Sequence, residues 1–503
     1  MNTDFRVSII RTPLIYHRGD QYGTIPYLPT GIAYLAGYLE DHNVNVDIID
    51  GFGQNPKNVF CYKPDEQLDA MGLSIDQIMG FISNQKLIGI AIHSSMSHSF
   101  GLELAIRIKK AFPEIVLVAG GHQATVTYTE CLNAGFDYVV LSEGEYPFLE
   151  LIECLRDGRQ DQIAHIPGVA FEDRKNPTDF LNKNMDNLSK AAYHLLPLQN
   201  YWDLNMAHAP ISGKKYLAVS TSRGCPYGCR FCTTPKLLGR KWRTRSVNNI
   251  VEELEYFVNR FEIQNFIIQD EIFGVDRKHT IALCKKLIEK NLALNLFLPS
   301  GVKVECFTEE VLQWLAKAGL RYLSLAPESG SPRILKRMAK PLDREKLISI
   351  ASLCTRLNIK VGAFFIIGFE DEDREDRNLS RNLIKDLIQA GVEDISLFIW
   401  SPLPGADAFE YEKGWTQYEQ LNWNPTWRKN YVTYKRFRYQ MYIYWLLMRF
   451  RYHPFGLLRS MLNVFTGRYQ LKCEMALARL LQSLVRPFLK TPSKAMCNPL
   501  RNS

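Results

Sequence analysis

The sequence predicts an α/β protein: a doubly wound, Rossmann-like parallel sheet (1–155), a linker (156–213), a partial (βα)6 TIM-type barrel (214–413) and a basic, aromatic, helical C-terminal region (414–503). Three observations carry this reading. Short apolar runs alternate with amphipathic stretches twice along the chain, polar and glycine-rich pieces follow the apolar runs, and the alternation stops near Gly414. A chain of 503 residues, 46% hydrophobic and 23% charged, suits folded domains and excludes disordered, collagen-like and disulfide-scaffold classes.

In the first part, 7–10 reads as a buried strand and Pro29-Thr30-Gly31 opens an amphipathic helix through Leu39. Further strands are expected at 46–50, 87–92, 115–119 and 138–141, with helices near 101–111 and 128–133. Strands separated by helices imply parallel pairing through right-handed crossovers, and ligands on such sheets sit beyond the strands' carboxyl ends. Asp50-Gly51, His93-Ser94-Ser95, Gly120-Gly121-His122 and Ser142-Glu143-Gly144-Glu145 fall at those ends. No G-x-G-x-x-G occurs, so a dinucleotide site has no positive support; a generic nucleotide or flavin domain is the alternative.

Residues 156–213 carry Asp157-Gly158-Arg159, Lys175-Asn176-Pro177 and a hydrophilic run over 182–190, and read as a linker with one short strand at 168–171. Six strands then follow at 216–221, 264–269, 294–299, 321–326, 360–366 and 393–398. Helices are expected between them at 246–260, 277–290, 308–318, 333–338 with 343–357, and 374–390. Six βα units fall short of a closed eightfold barrel, and an opened barrel that admits a large substrate fits.

From Gly414 onward, 15 Lys or Arg stand against two acids, while the whole chain carries +8. The basic excess is confined to this region, which argues against a nucleic-acid-binding protein. Fourteen aromatics over 415–455 read as a helical lid or packing surface at the barrel mouth, at least through 445. Over 446–490, Arg449, Arg451, Arg459 and Arg468 among Leu457, Leu458, Leu462 and Phe465 suggest peripheral contact with an anionic membrane. No secretory leader is read, and the apolar stretch 442–448 ends at Arg449, well below the roughly 20 residues of a spanning helix. The expected location is cytoplasmic, peripheral to the inner membrane face where the tail makes contact.

Eleven cysteines, without an export signal, are read as thiols rather than disulfides. Three stand in Cys225-Pro226-Tyr227-Gly228-Cys229-Arg230-Phe231-Cys232, directly after the first barrel strand. Three thiolates within eight residues can wrap one soft metal centre. A structural zinc closes with four ligands, and the nearest histidine, His208, lies 17 residues before Cys225 and across the strand. A [4Fe–4S] cube bound by three thiolates keeps one iron open. Zinc completed from elsewhere and three incidental core cysteines are the alternatives. Cys284, Cys306 and Cys354 lie in helix or strand patterns and read as packing residues.

This C-x3-C-x2-C loop, with an aromatic before its last cysteine, resembles the radical S-adenosylmethionine (SAM) superfamily. The resemblance covers about 214–405 and implies a [4Fe–4S] cluster on Cys225, Cys229 and Cys232, whose open iron chelates SAM and whose electron cleaves it to a 5′-deoxyadenosyl radical. It places Phe231 near the adenine and, in Gln269-Asp270-Glu271, Asp270 near the SAM amino group. Pro327-Glu328-Ser329-Gly330 resembles the E-S-G segment, with Glu328 and Ser329 toward the ribose and carboxylate, and Ile367-Gly368-Phe369 resembles the glycine motif beside the adenine. Pro404-Gly405-Ala406 departs from the family's P-G-T in its alanine, and nothing is assigned to it.

The first part resembles the cobalamin-binding domain that precedes many such barrels, through 27–36, Asp47-Ile48-Ile49-Asp50, Gly120–Thr125 and Asp137–Glu145. Pro29, Asp50, His93 and Ser94 are then expected at the corrinoid, as are Gly120, Gly121, His122, Glu143 and Gly144. The D-x-H-x-x-G signature is missing, which leaves the lower cobalt face open or met by water or a residue near 93–95; His122 reads as a hydrogen-bond donor. The chain is thus similar to class B, cobalamin-dependent radical SAM methyltransferases. The resemblance implies that one SAM methylates cob(I)alamin and a second yields the radical that activates an unactivated carbon for methylation. It also implies a small-molecule or lipid-like substrate and a flavodoxin- or ferredoxin-like reductant. A non-methylating tetrapyrrole-cyclase type and a corrinoid carrier or sensor with an inactive barrel are the rival readings.

Overall fold

Five parallel strands of the first sheet lie in the order Val46–Asp50, Val7–Arg11, Leu87–Ala91, Val116–Gly120, Tyr138–Val140. In chain order this is 2-1-3-4-5, a doubly wound sheet whose direction reverses between Val7–Arg11 and Leu87–Ala91, paired from Val7↔Leu87 to Arg11↔Ala91. Such a reversal opens a crevice beyond the carboxyl ends of those two strands. The strands are nearly continuous apolar runs because both faces are covered, by Thr30–Asp41 and Glu145–Arg156 on one side and His98–Ala111 on the other. The computed structural model describes residues 5–20, 22–178, 181–211 and 215–489; residues 490–503, the end of the basic region, lie outside the described residues.

Two features go beyond the sequence pattern. A three-stranded antiparallel sheet (Leu14–His17, Leu68–Met71, Val59–Lys63) follows the first strand. Val59–Lys63 is half-buried at every position, so it shows no alternation to read. The segment expected as a linker is instead packed. Val169–Phe171 joins the first sheet antiparallel to Tyr138–Val140, and Tyr193 and Tyr201 are fully buried between the two halves. Tyr193 donates to the Ala218 carbonyl at 2.5 Å and Tyr201 donates to Asp50 Oδ2 at 2.5 Å. Single aromatic anchors at irregular spacing carry no helix or strand period, which hides such packing from pattern analysis.

The second sheet runs Tyr216–Val219, Asn265–Ile268, Asn295–Val302, Leu320–Glu328, Lys360–Ile367, Asp394–Ile399, six parallel strands each paired with the next and the first unpaired with the last. It is an open barrel. The outer helices begin on side-chain caps: Ser246, Asp276, Thr308, Asp343 and Asp373 each accept from a first-turn N–H. Each such cap contributes about 1 kcal/mol and fixes where a strand-end loop gives way to helix. A short hairpin, Ser222–Arg223 with Arg243–Thr244, frames the cysteine loop.

The C-terminal region forms the helices Tyr431–Tyr452, Pro454–Thr466 and Lys472–Leu489. Its leading segment bridges the two halves: Tyr418 donates to Glu130 at 2.8 Å, Glu419 accepts from Ser99 N at 2.8 Å, and Arg428 donates to the carbonyls of Trp400 and Gly368, both at 2.9 Å. Arg449, expected at a membrane surface, is instead buried, paired with Glu393 at 3.1 Å and donating to Ser460. No described helix is long and apolar enough to cross a membrane.

Candidate functional site

The loops after the strands of both sheets meet at one junction, and ion pairs stitch them. Arg223, on the barrel's short hairpin, donates to both oxygens of Glu145 at 2.6 and 3.1 Å, and stands 3.7 Å from Glu143. Arg243, on the pairing strand, grips Glu143 at 2.7 and 2.9 Å, and Glu143 also accepts from Asn182 N at 2.9 Å. Burial opposes the charge of Glu145, but Arg223 prevails and holds its carboxyl below the ordinary value. Deeper in, Tyr34 from the first domain donates to Glu253 at 2.8 Å, and Glu253 pairs with buried Arg245.

The cysteine loop leaves this junction two residues after Arg223. Gly224 has φ +82° and no room for a Cβ, which would sit 2.4 Å from the Lys241 carbonyl; its N–H donates to Glu271 at 3.0 Å. Further along, Arg230 N donates to the Met338 carbonyl at 3.0 Å and the Arg230 carbonyl accepts from Ala408 N at 2.8 Å. The loop is thus held at both sides. Cys225, Cys229 and Cys232 are free thiols, half-buried. Burial, with Cys232 and Cys229 adding charge nearby, pushes Cys225 up to about 11, and burial also raises Cys229. No group of three or more His, Cys, Asp or Glu among the described residues converges on a single-ion position. Three thiols from one short loop are the donor set of a [4Fe–4S] cube that keeps one iron open, whereas a structural zinc closes with four ligands.

Around this loop lie the side chains expected near SAM. Phe231 packs against the cluster of Phe369, Trp400, Ile334 and Met338, its ring 6.3 Å from that of Phe369, so the aromatic of the cysteine loop and the segment after Gly368 share one wall. Gly368 has φ +76°, and a Cβ there would stand 2.7 Å from the Tyr434 ring. Glu328 adopts φ +62° at the end of its strand and pairs with Lys340 at 2.6 Å; Lys340 Nζ also lies 5.8 Å over Phe231. Lys303 Nζ sits 4.0 Å over Tyr227, and both lysines lower the Cys229 pKa against its burial. Two other expected residues are internally engaged. Asp270 accepts from Thr221 N at 2.7 Å, Thr221 Oγ1 at 2.5 Å and Ser222 Oγ at 2.7 Å, binding the first strand's end to the second. Ser329, fully buried, accepts from Ser331 N at 3.1 Å. Glu271, next to Asp270, is the acid that reaches the cysteine loop, and burial with the Asp270 charge pushes it up to about 7.

On the first domain's side, His122 opens into the junction yet is deep enough that burial, followed by the Arg223 charge, lowers its pKa. Gly121 (φ +102°) lets the chain pass close by, since a Cβ would stand 2.8 Å from the Ile92 carbonyl; Gly120, by contrast, has no atom nearer than 4.0 Å. His93 is half-buried, bonded to Tyr27, and burial pushes it down to about 3. Ser94 N donates to Ser97 Oγ at 3.2 Å, Pro29 precedes the helix Thr30–Asp41, and Gly144 precedes Glu145–Arg156. Asp50 is fully buried: it accepts from Gly53 N at 2.8 Å and Tyr201, and pairs with Arg11 at 3.5 Å. It braces the crevice floor and does not open onto it.

Sequence reasoning passed over Arg11, Arg223, Glu271, Lys303 and Lys340. Glu271 stands inside the turn Gln269-Asp270-Glu271 and Arg223 two residues before Cys225, whereas Lys303 and Lys340 come from separate strand-end loops with no local signal. Cys284 and Cys354 are buried with thiols pushed up to about 12, and Cys306 is buried and raised, all by burial, as expected of packing residues.

Comparison with known proteins bears on this junction directly. The B12 binding domain family matches residues 26–152 and the Radical SAM superfamily matches residues 219–384. An uncharacterized methyltransferase of Pyrococcus horikoshii is 27% identical over 405 residues, covering 78% of this chain and 80% of its own length. The cytidylyl-2-hydroxyethylphosphonate methyltransferase of Streptomyces wedmorensis is 27% identical over 445 residues, covering 80% and 82%. The radical SAM methyltransferase TsrM of Kitasatospora setae, solved with cobalamin and a [4Fe–4S] cluster bound, superposes with a TM-score of 0.64 at 17% identity, over 80% of this chain and 77% of that one. That likeness carries the fold. With the two family matches side by side, and relatives named methyltransferases along most of its length, the chain is a cobalamin-dependent radical SAM protein, whose cofactors are cobalamin, SAM and a [4Fe–4S] cluster.

Proposed function

We propose that the chain methylates an unactivated carbon of a small-molecule or lipid-like substrate, with 1–155 holding the corrinoid, 214–413 holding SAM and 414–503 covering the junction. When bound, the cluster supplies the electron that cleaves SAM and cobalamin supplies the methyl group. The chain's own residues do the rest. Cys225, Cys229 and Cys232 hold the iron, and Lys303 and Lys340 offset the negative charge of their thiolates. Phe231 and the segment at Gly368 wall the adenine side, and Glu328, oriented by Lys340, and Glu271 present carboxylates toward the SAM amino and ribose groups. Asp270, Ser329, Asp50 and Glu143 hold strand ends and loops in register. Gly120, Gly121, His122 and His93 border the corrinoid hollow; His93, kept neutral by burial and bonded to Tyr27, is a hydrogen-bonding neighbour. An external flavodoxin- or ferredoxin-like protein supplies the reducing electron.

The single observation behind this reading is the pinned loop of three adjacent thiols beside the Arg223–Glu145 bridge to the first domain. The test is anaerobic reconstitution with iron, sulfide and cobalamin, followed by assay of 5′-deoxyadenosine from methyl-labelled SAM. Replacing any one of the three cysteines by alanine is expected to lower bound iron and bring SAM cleavage to background. Label in the product supports methylation, an unlabelled product supports the cyclase type, and an intact protein that never cleaves SAM is a corrinoid carrier.

A second reading concerns location. Phe450, Phe455, Leu458, Leu462 and Phe465 are all more than 60% exposed on consecutive helices, flanked by exposed Arg451, Arg459 and Arg468. An apolar face rimmed by arginines fits the surface of an anionic bilayer, which supports peripheral contact at the cytoplasmic face.

A further inference from the structure

The inner face of the open barrel is not fully covered, where a closed one is filled by layers of side chains. On the face of its strands turned away from the covering helices, Ser300 is exposed and Ala326, Phe364 and Phe398 are half-buried. These positions adjoin one another: a Cβ on Gly301 would meet Phe364 and Ala326 at 3.2–3.3 Å, and the Phe364 and Phe398 rings are 5.6 Å apart. Tyr22 and Trp423 close the aromatic wall, each ring 4.9 Å from Phe398.

The C-terminal region delivers a cation into this lumen. Lys472, first residue of its last described helix, donates from Nζ to the Pro299 carbonyl at 2.8 Å and lies 4.7 Å over the Phe364 ring. Its backbone N–H takes Asp394 Oδ2 at 2.8 Å, and Tyr322 donates to the same oxygen at 3.1 Å. Asp394 is the charged neighbour the ammonium feels, yet among the described residues no ion pair joins Nζ to a carboxylate. His208, facing the same cation, is pushed down to about 3 by burial and then by Lys472, so it supplies no counter-charge. An ammonium has three N–H donors, one carbonyl engages one of them, and a cation in a protein interior without a direct ion pair is costly. A methionine of similar length would pack there without that cost.

We propose that Lys472 is a substrate-binding residue: its ammonium takes an anionic oxygen group, carboxylate or phosphate, of a substrate whose apolar or aromatic body lies against Phe364, Phe398 and Tyr22. The inference rests on the reading of the barrel as the place of reaction. It gives the C-terminal region a part in specificity as well as in covering the mouth, and it selects acidic substrates over neutral ones of the same shape.

The test is calorimetric titration of the full-length reconstituted protein with 1-naphthoate, 1-naphthyl phosphate and uncharged 1-naphthylmethanol. The wild type is expected to bind at least one anion about ten- to a hundredfold tighter than the alcohol, the range for a charge-assisted hydrogen bond in a covered site. Whichever anion is preferred identifies the headgroup. K472M is expected to erase the preference while binding the alcohol as before, and K472R to retain most of it. Equal binding of anion and alcohol by the wild type overturns the proposal whether or not any variant folds, and so does a preference that survives in K472M. Formation of 5′-deoxyadenosine by the same wild-type preparation is scored separately, so failure of the radical SAM reading and failure of the anion site are told apart.

Discussion

Removing the Glu145 carboxylate should unfasten the junction at Arg223, the residue two positions before the first cysteine. In E145A, Arg223 loses both short contacts, at 2.6 and 3.1 Å, and is left with Glu143 at 3.7 Å. The two side chains are 12% and 8% exposed, so water replaces little of what is lost. Breaking a buried pair on one side costs about 3–5 kcal/mol, and the residual attraction of Glu143 places E145A near the lower end, about 3 kcal/mol. With roughly 2–4 °C per kcal/mol for a cooperative unit of 150–250 residues, the midpoint falls by about 6–12 °C. Thermal unfolding followed by circular dichroism measures it. The double variant E145M/R223M, with no stranded charge, is expected to regain more than half of the loss. The pH dependence gives a second handle. Glu145 has its folded pKa below the ordinary 4.5, so its contribution is complete above 4.5 and disappears as pH falls through the folded value. The gap between wild type and E145A is therefore constant near neutrality and closes in acid. A midpoint unchanged in E145A, or a double variant as unstable as the single ones combined, would refute the account of the junction.

Other consequences are testable in the same way. G368A forces a non-glycine residue to φ +76° and drives a Cβ to 2.7 Å from Tyr434; the backbone alone costs about 1–2 kcal/mol, and Y434L is expected to relieve the clash but not that remainder. Burial lowers Lys472 to about 7 from 10.5, so the unfolded chain binds the extra proton between those values and wild-type stability rises with pH across that window. In K472M that rise should be smaller, as read from denaturant midpoints at pH 7 and pH 10. F455S/F465S removes two side chains that are 84% and 80% exposed, and should abolish flotation with phosphatidylserine vesicles without altering the melting point; flotation unchanged from wild type would count against membrane contact.

What could be read from the sequence was whatever is local. The strand Lys360–Ile367 lies where its apolar run predicts because every second residue, from Val361 to Ile367, faces covered core. The three cysteines were legible because a cluster-binding loop concentrates its ligands within eight residues. Lys340 and Glu328 pair across 12 residues, Glu145 and Arg223 across 78, and Lys472 reaches the Pro299 carbonyl from 173 residues away. No periodicity records such meetings, since each depends on how strand-end loops converge in three dimensions. Asp270 and Asp50 illustrate the converse: an acid at a strand end looks the same in sequence whether it faces a ligand or, as here, satisfies the hydroxyls and amides of its neighbours.

The buried tyrosines of the connecting segment have a mechanical consequence. Tyr193 is bonded to the barrel's first strand and lies over the first domain's Thr30, while Tyr201 is locked to Asp50 and Arg11. Both are buried between the halves like dowels, so a hinge there would have to expose two aromatic rings and break the Tyr193 bond to the Ala218 carbonyl. The connecting segment therefore resists a hinge between the two halves. Admission of a bulky reactant, and exit of its product, must be accommodated by the seam between the barrel's unpaired edge strands and the helices laid across it.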